Sequence, residues 1–352
     1  MKFQFTRHIQ SCNNINIGER TIASIIGKNI DIEPAATTNG IIQTIEFAQK
    51  SENKECYNSD KVYVSNLLRT WITAFLLYGT NLENAKDTLK LYISPYLKEY
   101  SAYDHILKGG SDPFKRGNYP LQVRETIKNF VKFLMHLEPE KMEKYYSEHI
   151  PKNYKKWYYR LPTYVEIYLP NKNLIFENSN YFLINIDNYD VKEFNIVDTI
   201  GPKSSQPGFL KGGDLNKFMK WFESNDINYN YSNDLVHVVS HSIVMKKFLY
   251  KKIKDYKKNF KKETKNKCNI KRCQENDEKC IHYCIKYSNC WKFKIDTNQI
   301  DEQGKLGKII FYIPGIPMDI KKSKLIENPK HSLCGKYKKS NKKSNKKSKS
   351  NK

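Results

Sequence analysis

The chain has 352 residues, with 61 Lys and Arg against 37 Asp and Glu, a formal net charge of +24. Counted without Tyr and with Gly, its apolar residues come to about 36%, below the 45–50% usual for globular chains, as a core diluted by solvated insertions and a tail would give. No apolar run approaches the roughly 20 residues of a membrane span, and Met1-Lys2 leads straight into a strand-like segment, so neither a membrane protein nor a secreted enzyme is expected and the setting reads as cytoplasmic.

Lys2 to Thr6 alternates, with Phe3 and Phe5 on one face of a strand. A polar turn follows over 7–14, and residues 38–50 carry apolar side chains at helical spacing. Val62-Tyr63-Val64 is a short β-run, Leu67 to Tyr78 a strongly apolar helix ending at Gly79, and Leu89 to Ile93 a strand stopped by Ser94-Pro95. Leu121 to Leu137 has the period of an amphipathic helix. From about 138 to 210 the rhythm breaks into Tyr-, Asn- and Lys-rich sequence with strand-like runs at Tyr164 to Leu169 and Tyr181 to Ile186, which reads as an insertion. A helix near Asp214 to Glu223 precedes Leu235 to Val239, an almost wholly apolar strand suited to a sheet centre covered on both faces. A helix from Ser242 to about Lys258 and a hairpin of Trp291 to Ile295 with Lys308 to Ile313 complete the series. Strands alternating with helices predict an α/β fold, a three-layer α/β/α sandwich around a mainly parallel sheet. The domain is expected over 1–335, with insertions at about 138–210 and a cysteine-rich one at about 259–289. Lys336 to Lys352 holds nine Lys and no acid, and is expected to be disordered.

Only seven of the 61 basic residues are Arg, and Lys, Asn, Ile and Tyr are abundant throughout, the signature of an A/T-rich coding sequence. Much of the charge is therefore read as codon bias. The lysine tail leaves nucleic acid or another polyanion open as a partner, and no membrane partner is expected. Eight cysteines stand at 12, 56, 268, 273, 280, 284, 290 and 334, expected as reduced thiols. Five crowd between Cys268 and Cys290 without the paired Cys-x2-Cys of most zinc sites, so incidental cysteines are favoured over a metal or disulfide staple.

Three polar clusters fall at predicted strand ends, where open α/β sheets place ligands. They are Thr6-Arg7-His8 with Asn14 six positions on, Ser65 to Thr70 with Arg69, and Ser240-His241-Ser242. Phosphoryl transfer suits this set. Guanidinium binds phosphate oxygens bidentately and stays charged, and a neutral imidazole can attack phosphorus to form a phosphohistidine. Two guanidiniums and a second His would offset charge on the equatorial oxygens, and the chemistry calls for no metal or other cofactor.

These residues resemble the motifs of the histidine phosphatase superfamily, the phosphoglycerate-mutase-like group. Arg7-His8-Ile9 stands where that family has Arg-His-Gly, and Asn14 matches its Asn six residues past the His. Ser65, Leu67, Arg69, Thr70, Thr73 and Ala74 meet its second-arginine motif, and Val238-Val239-Ser240-His241 its late strand ending in Ser-His. The resemblance covers roughly 2–135 and 210–315. It implies that His8 is the phosphate-accepting nucleophile, that Arg7, Arg69 and His241 form the phosphate pocket with Asn14 in support, and that the substrate is a phosphorylated small molecule or phosphopeptide. In a Leu-x-Glu setting like that of the mutase-like branch, Glu99 is the candidate general acid, with Asp104 the fallback. Ile9 replaces the motif glycine and Ser242 the glycine common after the second His, which predicts a reshaped pocket. Two functions stay open: a metal-independent phosphatase, with mutase activity as a sub-case, or a catalytically inactive module that binds phosphate or polyanion.

Overall fold

The computed structural model describes residues 1–12, 35–50, 53, 55–80, 88–97, 119–171, 175–196, 213–225, 235–252, 288–300, 306–313, 315–327 and 333–334. Its strands are β1 (Lys2–Arg7), β2 (Lys61–Val64), β3 (Thr88–Ile93), β4 (Tyr164–Pro170), β5 (Phe176–Asn185), β6 (Val191–Phe194), β7 (Leu235–Ser240), β8 (Ser288–Asn289), β9 (Lys292–Ile300), β10 (Leu306–Ile313) and β11 (Ile316–Pro317). Nine of them form one sheet in the order β10-β9-β1-β7-β2-β3-β4-β5-β6. The five in the middle, β1, β7, β2, β3 and β4, are mutually parallel. Two antiparallel strands extend each edge: β9 and β10 on one side, β5 and β6 on the other. The stretch read as an insertion thus continues the main sheet through β4, β5 and β6.

Helices are α1 (Thr38–Gln49), α2 (Leu68–Tyr78), α3 (Tyr119–His136), α4 (Pro139–Tyr146), α5 (Tyr154–Tyr158), α6 (Leu215–Asn225), α7 (Ser242–Lys252) and α8 (Ile320–Ile326). They cover both faces. On one, Val62 and Val64 of β2 and Leu89, Leu91 and Ile93 of β3 share a core with Ile41 and Ile45 of α1, Trp71 and Phe75 of α2, and Phe130 of α3. On the other, Phe3, Phe5, Val236, Val238 and Phe293 meet Phe218 and Phe222 of α6 and Met245 and Phe248 of α7. Phe3 lies 5.5 Å from Phe222, edge to face, and Phe5 lies 5.3 Å from Phe293. Burying each such ring contributes about 1.5–3 kcal/mol. The fold is therefore α/β, with helix layers on both faces of a sheet whose centre is parallel.

Local sequence explains the elements that carry the site. Every residue of α2 is buried, which suits its largely apolar composition and sets it against the sheet beneath α3. At the start of α1 the Thr37 hydroxyl accepts from Gly40 N–H at 2.9 Å, satisfying one of the donors a helix start leaves unpaired. Gly40 is required there, because a Cβ would sit 2.9 Å from Thr37 Oγ1 and 3.0 Å from the Gln10 carbonyl oxygen. No helix among the described residues is long and apolar enough to cross a membrane. The tail over 336–352 and the cysteine-rich stretch over 259–287 lie outside the described residues.

Candidate active site

Parallel pairing brings three strand ends level. Arg7 is opposite Ser240, Thr6 opposite Val239, and Val64 opposite Val239 from the other side. The residues that follow these ends, His8, Ser65 and His241, therefore emerge together at one edge of the sheet. His8 N–H donates to the Ser240 carbonyl at 3.0 Å, which ties the two segments together just past the strands. Helix α2 begins at Leu68 on one face and α7 at Ser242 on the other, so two helix N-termini flank the same edge. The dipoles of these helix ends favour an anion there.

Arg7, His8, Arg69 and His241, the charged or titratable site candidates within the described chain, lie near one another. The rings of His8 and His241 are 5.0 Å apart, tilted at 58°. Arg7, Arg69, His8 and His241 are all buried. His8 Nδ1 lies 2.6 Å from the Ile9 carbonyl oxygen. A carbonyl only accepts, so Nδ1 carries the proton and the neutral ring keeps its lone pair on Nε2. Burial, then the guanidinium of Arg69, then that of Arg7, hold the His8 pKa well below its usual 6.5. His241 is held down likewise by burial, then Arg69, His8 and Arg7. Both rings are neutral at pH 7, and no carboxylate among the described residues is one of the charges acting on either.

Supporting contacts reach into the core. His241 Nε2 shares a hydrogen bond of 2.8 Å with Ser65 Oγ, which also lies 3.0 Å from Thr70 Oγ1. Trp71 Nε1 donates to the Ser65 carbonyl at 2.8 Å, so the buried indole fixes the backbone that presents this hydroxyl. His241 Nδ1 is buried and has no hydrogen-bond partner among the described residues. Thr73 Oγ1 accepts from Ile9 N–H at 3.0 Å and donates to the Arg69 carbonyl at 2.6 Å, joining the His8 loop to the first turn of α2. Ile9, in place of the motif glycine, is fully buried and belongs to the apolar core of that face.

Asn14 and Glu99, with the fallback Asp104, lie outside the described residues. The Leu97 carbonyl accepts from Ser240 Oγ at 3.1 Å, at the residue before His241.

No protein-family model matches the chain, and no curated protein matches it. Among solved structures it is similar to a phosphoserine phosphatase from Entamoeba histolytica in complex with phosphoserine, at 12% identity and a TM-score of 0.33 over 88% of this chain and 95% of that one. It is also similar to an alpha-ribazole phosphatase from Shigella flexneri, at 11% identity and a TM-score of 0.32 over 91% of this chain and 100% of that one. Likeness at this level decides nothing about chemistry, which rests on the side chains themselves.

Two features went unread in the sequence. Cys12 and Cys334, expected as reduced thiols, form a disulfide, because the chain path brings their Cα atoms to 5.3 Å, well inside bridging range. Among the described cysteines, Cys56 and Cys290 are free and buried. The second feature is Lys292, fully buried on the strand beside β1, with Nζ 4.1 Å from the centre of the Tyr57 ring. Its sequence signal was ambiguous: Lys292-Phe293-Lys294-Ile295 alternates as a half-exposed strand would.

Proposed function

We propose that the protein is a phosphatase-type hydrolase that cleaves a phosphate monoester in two steps, through a phosphohistidine on His8. What supports this reading most is the fixed tautomer of His8. Its Nδ1–H is committed to the Ile9 carbonyl, so the free lone pair sits on Nε2, in a cluster with two buried guanidiniums and a second imidazole.

In the first step His8 Nε2 attacks phosphorus and the ester oxygen leaves. Arg7 and Arg69 offset charge on the equatorial oxygens, and His241 donates to one of them. A bound dianion favours protonation of His241, opposing the two cations that hold it neutral in the free pocket. The leaving oxygen takes a proton from a carboxylic acid, for which Glu99 is the candidate. In the second step water attacks the phosphohistidine, gives its proton to that carboxylate, and releases inorganic phosphate. A second substrate hydroxyl in place of water would make the same site a mutase. The proposed substrate is a phosphorylated small molecule or phosphopeptide, Asn14 is proposed as an additional phosphate ligand, and no step needs a metal.

The test is incubation with p-nitrophenyl phosphate followed by an alkaline quench and measurement of acid-labile phosphate on the protein. Label and turnover are expected in wild type and absent in His8→Ala. Binding of inorganic phosphate with neither label nor turnover would replace the hydrolase by a non-catalytic phosphate-binding module.

A further inference from the structure

The loop that carries His8 is covalently joined to the far end of the described chain. Cys12, four residues after His8, bonds Cys334 across a sequence separation of 322. The loop is also clasped along its length. The Gln10 carbonyl accepts from Thr37 N–H at 3.0 Å, and Cys12 N–H donates to the Ala35 carbonyl at 2.9 Å. Gln10 Oε1 accepts from Thr37 Oγ1 at 3.0 Å and from Ser323 Oγ of α8 at 2.6 Å. Helix α8 is in turn held to the start of α1. Asn39 Nδ2 donates to Ser323 Oγ at 2.9 Å, and the Glu327 carboxylate accepts from Thr38 N–H and from Thr38 Oγ1. The carboxy-terminal segment from Asp319 to Cys334 therefore meets the His8 loop at two points, one of hydrogen bonds and one of sulfur.

The two sulfurs differ in access. Cys12 is 3% exposed and Cys334 is half-buried, so an incoming thiolate reaches Cys334 first.

We propose that the Cys12–Cys334 bond is a thiol-cleavable latch on the phosphate site, an inference that rests on His8 as the nucleophile. A dithiol reductant attacks Cys334 Sγ through one thiolate, forms a mixed disulfide, and expels Cys12 as a thiolate that takes a proton. The reductant's second thiol then displaces Cys334, so two electrons and two protons pass to the protein and the reductant closes to its cyclic disulfide. Cleavage removes the covalent tie and leaves the loop held by its hydrogen bonds and by the packing of Ile9. Because a displacement near 1 Å in a reacting group costs about 10²-fold, partial loosening is expected to lower kcat/KM about tenfold.

The experiment compares oxidised wild type, dithiothreitol-treated wild type and Cys334→Ser. It reads intact mass, hydrogen exchange of the Gln10 to Cys12 amides, and turnover of p-nitrophenyl phosphate. Dithiothreitol is expected to speed exchange at these amides about tenfold and to lower kcat/KM by a similar factor. Cys334→Ser is expected to show both changes without reductant and no response to it. Cys12→Ser serves in its place should that variant not fold. Unchanged exchange and kinetics in protein whose Cys12–Cys334 peptides are shown to be reduced would overturn the latch, as would free thiols at both positions in oxidised protein. Exchange does not require turnover. A protein inactive in both states, yet loosened by dithiothreitol, would keep the latch and count against His8 chemistry.

Discussion

Replacing Lys292 by Met removes a buried cation that the fold holds at a cost. Lys292 lies opposite Thr6 of β1. Its Nζ sits 4.1 Å from the Tyr57 ring centre and 5.9 Å from that of Phe47, and no carboxylate pairs with it among the described residues. Burial pulls its pKa from 10.5 down to about 8, with the nearby Cys56 acting weakly the other way. Between pH 10.5 and 8 the unfolded chain therefore binds a proton that the folded chain does not, and stability falls as pH drops through that window. The drop from 10.5 to about 8, at about 1.36 kcal/mol per pH unit, makes the loss about 3 kcal/mol, complete below pH 8. Lys292→Met keeps the length and apolar stem without the charge. Urea unfolding of both proteins at pH 7, 8, 9, 10 and 10.5 in one reductant isolates the term, since every other titrating group is common to both. The variant is expected to gain about 3 kcal/mol on wild type between pH 10.5 and pH 7. A difference that stays constant over that range would refute the argument, because it would mean the ammonium is as well solvated folded as unfolded.

Arg69→Ala is expected to lower kcat on an aryl phosphate by about 10²–10³, the usual cost of one donor to developing oxyanion charge, read from steady-state rates. The ring protons of His8 and His241, followed by NMR, should titrate well below pH 6.5, and Arg69→Ala should raise both midpoints because it removes the larger of the two guanidinium effects. Ser65→Ala should leave far-ultraviolet circular dichroism unchanged and cost about tenfold in kcat, the equivalent of the one hydrogen bond that orients His241. Phe5→Ala, a fully buried ring at the sheet centre, should cost about 3–5 kcal/mol of stability in chemical denaturation.

The parallel centre was legible because its strands are short apolar runs between helical periods. Phe3 and Phe5, Val62 to Val64, and Val236 to Val239 could be placed from pattern alone. The convergence of Arg7, His8, Arg69 and His241 was legible for the same reason, since residues just past parallel strand ends meet at one edge. Lys292 was not. Strand alternation assigns it to a polar face, but β9 is not the outermost strand, and the face that holds Lys292 also holds Gln4 and Thr6, all buried. Gln4 finds a partner inside, its Nε2 donating to the Cys56 carbonyl at 2.8 Å. Pattern tells a residue's face, not whether that face is covered. Nor could spacing pair Cys12 with Cys334, because loops do not declare where they pass one another.

The place of β1 in the sheet sets a schedule for synthesis. Its two neighbours are β7, starting at Leu235, and β9, starting at Lys292. Once synthesised, β1 thus has no pairing partner until more than 230 further residues have followed, and no complete set until close to 300 have. At about 5–20 residues per second that is a wait on the order of 15–60 seconds, with Phe3 and Phe5 uncovered meanwhile. Such long-range pairing predicts slow folding and a nascent chain in which β1 depends on chaperones to stay out of aggregates.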